Sequence, residues 1–474
     1  MAPSIMWFRR DLRLSDHPAL HEAVRRGGRD GVVPVFVVDD EFLAPAGPDR
    51  AAFVAASLEA LSASMGEQIV LRRGDPSTVL VDLVRATGAS SVVISADFAP
   101  KGRQRDARAR SALAAIGVEL IEVSSPYIVD PGVVVGESGA PLKVFTAFKR
   151  RWELVGPPVV LPIPDVIWLT HDSDVTTDEL VAAAGSRRPA LFGDLPDRAT
   201  TPPPPAGEVV ALDRLHTFIE QGVDAYREQR DQFAREGTSR LSPYFHVGSL
   251  HPRTAMNAAS GAGKGRSTFI SELCWREFYA DVLFHHPSSV RTALQAPMAG
   301  LVWDEGEAAE ARFRRWAAGQ TGIPLVDASM RQLLEEGWMH NRGRMLAASF
   351  LVKHLHLDWR WGARWFMWRL IDGDLASNQH GWQWTAGTGT DAAPFHRIFS
   401  PVAQAERFDP DGAYIHRYVP ELRGIAAPGV LQPGGGVSLL DQSSYPPPMI
   451  DLKVERVEAL RRASEARERY RASS

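Results

Sequence analysis

The sequence predicts an open parallel α/β sheet followed by an all-α half. Three observations carry that expectation. Short apolar runs recur through the first 130 residues, helical stretches with Pro or Gly punctuation separate them, and helix-spaced apolar positions dominate from about residue 206.

The expected strands are residues 4–8, 31–38, 68–72, 91–95 and 119–123. Each run carries consecutive apolar residues rather than a strict alternation, which reads as a buried parallel strand. Residues 51–65 and 76–86 read as helices between them. This alternation predicts a Rossmann-like open parallel sheet with helices on both faces over residues 1–130. No Gly-x-Gly-x-x-Gly follows the first run, so an ordinary nicotinamide site is not supported. Residues 131–205 lack a sustained period and are expected as an interdomain linker. They end in Thr200-Thr201-Pro202-Pro203-Pro204-Pro205, a stiff extended segment. Residues 206–474 are expected as one helical domain, with no internal repeat.

A chain of 474 residues with 45% hydrophobic and 23% charged residues has ordinary globular usage and ample core. The single cysteine, Cys274, excludes an intramolecular disulfide framework and a cysteine-based zinc cluster. No metal is expected. Neither a charged-then-apolar leader nor an apolar run of about 18 residues occurs, so a cytoplasmic chain without membrane association is the expectation. A monomer is expected as well. The formal net charge of −4 runs against the basic footprint of a nucleic-acid binder. A DNA partner would therefore need a local cluster of arginines, for which Arg230, Arg276, Arg342, Arg344 and Arg397 are the candidates.

The segment Asp372-Gly373-Asp374-Leu375-Ala376-Ser377-Asn378-Gln379-His380-Gly381-Trp382-Gln383-Trp384 runs on into Thr-Gly-Thr-Asp391-Ala-Ala-Pro394. It is too polar and too Gly-rich for plain core. Acids accept hydrogen bonds from a heterocycle's N–H groups, an amide offers donor or acceptor, and indoles stack or give up an electron. Such a set suits a large redox-active aromatic cofactor, although an Asp-x-Asp alone is far more often a turn or a helix cap. Residues 238–242 can offer hydroxyl and backbone N–H groups to a pyrophosphate, or simply cap a helix. Of the 13 tryptophans, ten lie in the helical half. Trp361, Trp365 and Trp368 fall at helical spacing and read as a core stripe, with Trp359 opposite them.

These segments resemble the DNA photolyase and cryptochrome family. Trp7-Phe8-Arg9-Arg10-Asp11-Leu12-Arg13-Leu14-Ser15-Asp16 resembles the family's opening strand and loop, and Thr238-Ser239-Arg240-Leu241-Ser242-Pro243-Tyr244 its flavin-phosphate loop. Glu272-Leu273-Cys274-Trp275-Arg276-Glu277-Phe278-Tyr279 and Gly337-Trp338-Met339-His340-Asn341-Arg342-Gly343-Arg344-Met345 resemble its substrate-pocket helices. The matches occur in the family's order and cover nearly the whole chain. The branch most resembled is class I, which repairs cyclobutane pyrimidine dimers.

The resemblance implies FAD, held by Tyr226, Thr238, Ser239, Arg240, Leu241, Ser242, Glu272, Arg344, Asp372, Gly373, Asp374 and Asn378. In it Arg344 and Asp372 pair beside the ring system, Asp374 contacts the pyrimidine edge and Asn378 faces the central ring nitrogen. It further implies an electron relay through Trp382, Trp359 and Trp303, with Trp316 an alternative outer station. A lesion flipped from UV-damaged DNA would meet Trp275, Trp384, Met345, Glu272 and Asn341. Arg230, Arg276, Arg342, Arg397 and Gln404 would hold the backbone around it. The branch acting on the (6-4) photoproduct has histidines where this chain has Asn341 and Met345, and His340 is offset by one residue. The resemblance also implies a place for a second antenna chromophore, with a deazaflavin, methenyltetrahydrofolate, flavin mononucleotide or no pigment as the alternatives. The stretch Gly102-Arg103-Gln104-Arg105-Asp106 resembles the family's sequence near that site. The competing expectation is a cryptochrome-type light receptor, disfavoured by Asn378, by the full set of dimer-pocket residues and by the lack of a long disordered extension before Ser474.

Overall fold

The computed structural model describes residues 2–156, 159–390, 397–436 and 444–473. The tail of the acid and tryptophan block, residues 391–394, lies outside the described residues.

The five apolar runs form β1 (Ser4–Phe8), β2 (Val32–Val38), β3 (Val70–Arg73), β4 (Ser91–Ile94) and β5 (Glu119–Glu122). They build one parallel sheet in the order β3-β2-β1-β4-β5. Each lies within two residues of the expected span. β1 is central and wholly buried, as an uninterrupted apolar run requires. The helices Pro18–Gly27, Pro48–Met65, Pro76–Thr87 and Pro100–Ala114 all open on proline. Proline's fixed φ suits a first helical turn, whose N–H groups have no intrahelical partner anyway. Gly66 and Gly88 end two of them in the left-handed region at φ 70° and 68°, where a Cβ would be strained. Among the described residues no strand follows β5, so the remainder is helical.

The chain packs as two compact units, each assembled from three segments. One holds Met1–Arg188, Pro203–Asp224 and Ser239–Pro287; the other holds Pro189–Pro202, Ala225–Thr238 and Ser288–Ser474. This division is interleaved along the chain, unlike the linear expectation of 1–130, 131–205 and 206–474.

Buried polar ties explain why the sheet unit recruits later segments. The Arg253 guanidinium donates to both Asp16 oxygens, at 2.9 and 3.1 Å, and Thr254 Oγ1 donates to Asp16 at 2.8 Å. Glu208 accepts the Leu14 and Ser15 amides at 2.7 and 2.9 Å. Glu277 accepts the Ile128 amide, the Val129 amide at 3.1 Å and the Trp152 indole N–H at 2.6 Å. The opening loop is thus locked by acids and bases that a sheet alone does not supply.

Residues 131–205 contain helices at Phe145–Val155 and Thr177–Ala183 that the reading for a sustained period passed over. Phe148 and Trp152 are buried in the first of these. In the second unit the helices Pro324–Glu336, Asn341–Lys353, Trp359–Arg369 and Leu375–Ala386 share one core centred on Trp316, Trp365, Phe366 and Trp382. The helix Leu452–Ser473 is tied to that unit by a His356–Glu455 contact at 2.7 Å and an Arg462–Asp304 ion pair at 2.6 Å.

Candidate functional site

The acid and tryptophan block folds as the helix Leu375–Ala386, with Asp374 as its N-cap. Asp374 Oδ1 accepts the Ser377 amide at 2.9 Å. A carboxylate has about four lone-pair sites, so capping leaves capacity for a further donor. Asn378 lies one turn on. Its amide nitrogen donates to Ala363 O at 3.0 Å and to Gln379 Oε1 at 2.9 Å. With both hydrogens committed, the oxygen is what the amide has left to offer: an acceptor for a protonated ring nitrogen. Gly381, three residues further along the helix, faces open space, since a Cβ there would meet nothing within 4 Å.

Asp372, just before this helix, is gripped by Arg344 in a two-pronged pair at 3.1 and 2.8 Å, while Arg344 Nε donates to Met339 O at 2.9 Å. The fork geometry fixes the guanidinium plane. Gly373 and Tyr226 are buried in the same unit, and Thr238 is half-buried. Carboxylate, amide oxygen, an oriented guanidinium and open space at Gly381 are a donor and acceptor set that fits a flavin ring system.

Trp382 is buried, and its indole N–H has no hydrogen-bond partner. Its ring lies edge-on to Trp316 at 6.1 Å and to Phe366 at 4.9 Å. Gly362 on the neighbouring helix makes room for it, because a Cβ there would stand 2.1 Å from the Trp382 ring. Trp316 is fully buried and donates to Ala347 O at 3.1 Å. Trp303 is only partly buried against the core. Trp365 and Trp368 are core, as the stripe predicted, and Trp361 is partly so. Trp359, expected on a face away from that stripe, is buried too, at 3% exposure. The Trp359–Arg369 helix is enclosed on more than one face, which a one-stripe reading does not anticipate.

The candidate substrate residues of this unit sit on the helix Asn341–Lys353 and around Trp384. Asn341 and Met345 share a face as their spacing predicts, with Nδ2 3.9 Å from Sδ. His340 caps the helix by accepting the Arg342 amide at 3.2 Å, and burial pushes its imidazole down to about 4. Arg342 pairs with Asp231 at 2.6 Å, donates to Gln404 Oε1 at 3.2 Å and lies over the Phe408 ring at 3.8 Å. Arg230 stands 3.8 Å from the same Asp231 and 5.5 Å over Tyr226. Arg397 is exposed and lies 5.7 Å over the half-buried Trp384. Asp231 was not singled out in the sequence. It partners Arg342 from far along the chain as well as its neighbour Arg230, and no local signal marks the distant pairing.

In the sheet unit, Ser239, Arg240, Leu241 and Ser242 form a tight loop leading into the helix Ser242–Val247. Arg240 takes a left-handed φ of 50°, and Leu241 N reaches Ser239 Oγ at 3.4 Å. Glu272, Trp275 and Arg276 lie on the helix Lys264–His285, all half-buried. Arg276 donates to Pro126 O at 2.8 Å and stacks over Tyr127 at 4.6 Å, leaving one nitrogen buried without a partner. Phe145, which the sequence reading did not select, lies on the Trp275 ring at 3.7 Å.

Comparisons with known proteins bear on this arrangement. Residues 4–165 match the DNA photolyase family model, and residues 269–465 match the FAD binding domain of DNA photolyase. A deoxyribodipyrimidine photo-lyase of Agrobacterium fabrum is 38% identical, over 97% of this chain and 97% of its own. A bacterial class III photolyase structure from Agrobacterium tumefaciens superposes with a TM-score of 0.84 at 36% identity, covering 99% of this chain and 98% of that one. An archaeal photolyase structure from Sulfolobus tokodaii, described with two FAD molecules, gives 0.82 at 26% identity over 98% and 100%. No helix among the described residues is long and apolar enough to cross a membrane.

Proposed function

The chain belongs to the DNA photolyase family, and from that premise we propose that it repairs cyclobutane pyrimidine dimers in UV-damaged DNA in a light-driven reaction. The observation that carries this reading is the helix Leu375–Ala386, which brings Asp374, Asn378, Trp382 and Trp384 onto one element beside open space at Gly381. FAD, when bound and reduced, supplies a photoexcitable one-electron donor. One electron enters the dimer, two cyclobutane C–C bonds break, and the electron returns, so the reaction has no net redox change.

The chain's own residues hold, orient and tune. Arg344 and Asp372 would brace the cofactor as a neutral pair. Asp374 would accept a ring N–H, and the Asn378 oxygen another, without adding a negative charge beside a reduced ring. Tyr226, Thr238, Gly373 and the Ser239–Ser242 loop would hold the remainder of FAD. Trp382, buried against Phe366, would give up one electron and be refilled by another. Trp359 would supply that electron, and the partly exposed Trp303 would draw on a reductant in solution. Trp316 has no surface of its own and is poorly suited as the outer station.

For the lesion, Trp275 and Trp384 each offer an indole to stack on a flipped base, and Met345 offers soft packing. Asn341 would bond a base edge. Glu272 would bond a base carbonyl, a contact worth most on the dimer radical anion. Arg230, Arg276, Arg342, Arg397 and Gln404 would hold phosphates. The solved bacterial relative is described as class III, so the proposal is of dimer repair and not of a class number. A second, light-harvesting chromophore in the sheet unit is proposed without its chemical identity.

The test is an absorption spectrum of the purified protein, followed by light-dependent loss of dimers from oligothymidylate with a (6-4) substrate in parallel. Flavin absorption with dimer loss only in the light supports the proposal. No loss from reduced, illuminated protein rejects it in favour of a light receptor, and repair of only the (6-4) lesion rejects the roles of Asn341 and Met345.

A further inference from the structure

Phe145 lies flat on the Trp275 indole, with ring centroids 3.7 Å apart and planes 7° from parallel. Among the described residues it is the only parallel ring on that indole. Phe278 meets it edge-on at 5.6 Å and 76°, and Tyr279 is tilted at 5.4 Å and 46°. Aromatic pairs ordinarily settle offset or edge-to-face, so a centred parallel pair needs an outside cause.

Helix register supplies it. Phe145, Phe148 and Trp152 fall at i, i+3 and i+7 of the helix Phe145–Val155 and share one face. Phe148 packs on Phe278 at 5.3 Å, and the Trp152 indole donates to Glu277 at 2.6 Å. Trp275 stands three residues before Phe278 on the facing helix Lys264–His285. Two buried anchors therefore set the two helices in a register that delivers Phe145 onto Trp275. Yet both stacked rings are themselves half-buried, so the pair is no ordinary piece of core.

We propose that Phe145 is a positioning residue for lesion recognition. It backs one face of Trp275 and fixes the indole plane, so that the opposite face is presented, already ordered, to a flipped base. An indole so held has little side-chain freedom to lose on binding, which removes an ordering cost that a loose tryptophan would bear. The proposal rests on the reading of Trp275 as a stacking wall.

The experiment measures binding of the FAD-loaded protein to oligothymidylate with and without one cyclobutane dimer. Phe145→Ala should weaken the damaged strand by about three- to tenfold, the strength of one aromatic pair at tenfold per 1.4 kcal/mol. The undamaged strand should be unaffected. Phe145→Tyr should keep the affinity, and Phe145→Leu, which retains bulk without a flat ring, should lose it with an unchanged flavin spectrum. In a Trp275→Ala background Phe145→Ala should add nothing, because the ring it positions is gone. Wild-type affinity in Phe145→Leu, equal loss on both strands, or a further loss in the Trp275→Ala background each overturns the proposal. If Trp275→Ala alone leaves damaged-strand binding unchanged, the stacking reading falls and the proposal with it. Loss in Trp275→Ala without loss in Phe145→Ala rejects Phe145 alone.

Discussion

Gly362 must be glycine because the Trp382 ring occupies the place of its Cβ, 2.1 Å away, with a Leu351 methyl at 2.7 Å. Gly362→Ala should cost about 1–3 kcal/mol, the range for overpacking a filled core, and should displace the indole. A lower melting point together with slower photoreduction of bound flavin is the expected result, and an unchanged melting point contradicts the close packing. Trp382→Phe should stop photoreduction while chemically reduced protein still acts, because phenylalanine is far harder to oxidise. Trp303→Phe should slow photoreduction and Trp316→Phe should not; transient absorption after a laser flash reads both. Asp374→Ala removes a helix cap worth about 0.5–2 kcal/mol as well as an acceptor for the ring. Flavin retention after gel filtration should fall along with the melting temperature, and full retention argues against the ring contact. At this scale the sequence was informative about pairs and silent about partners. The four-residue spacing of Asn341 and Met345 sufficed to place them together, whereas nothing near Arg342 pointed to Asp231.

The Phe145–Val155 and Lys264–His285 helices are joined by a buried carboxyl with an uncommon titration. Burial pushes the Glu277 carboxyl up from an ordinary value of 4.5 to about 7, against three N–H donors that favour its anion. The folded state then holds this proton more tightly than the unfolded chain does. Its contribution to stability is complete below pH 4.5 and declines as pH rises through about 7. The span is about 3 kcal/mol at 1.36 kcal/mol per pKa unit. Urea midpoints should therefore fall between pH 5 and pH 7.5, and Glu277→Gln, which mimics the protonated acid, should flatten that slope. An equal slope in the variant would assign the effect to another group. Strands were legible because short runs with consecutive apolar residues, alternating with helical stretches, have few other fates, and the sheet's helices were marked by Pro at one end and often by Gly at the other. The Phe145–Val155 helix was missed even though Phe145, Phe148 and Trp152 carry a helical spacing. It is short, flanked by Gly and Pro, and interrupted by Lys149, Arg150 and Arg151, so no window of ordinary length shows a stripe. Trp359 lies opposite the tryptophan stripe as its spacing indicates; its burial was not legible, because a helix enclosed on more than one face has no single stripe to read.

Across the whole molecule, composition and order of motifs indicated the two fold classes. How the chain is shared between compact units was not legible, because that depends on single buried ion pairs and hydrogen bonds. Asp16 waits for Arg253, the amides of Ile128 and Val129 wait for Glu277, and the Leu14 and Ser15 amides wait for Glu208. Residues 1–224 should accordingly be digested rapidly as a fragment, and residues 1–287, which include every segment of the sheet unit, should resist protease. Equal resistance of the two would show that the ties are dispensable. The same interleaving sets a timetable during synthesis. All five strands have been synthesised by residue 122, but the acid at position 16 has no Arg253 guanidinium until more than a hundred further residues have been made. At roughly 5–20 residues per second the loop after β1 spends on the order of ten seconds without its buried partner. A nascent chain of this family is thus most in need of a chaperone in the middle of its translation, well after its sheet is written and before its lock arrives.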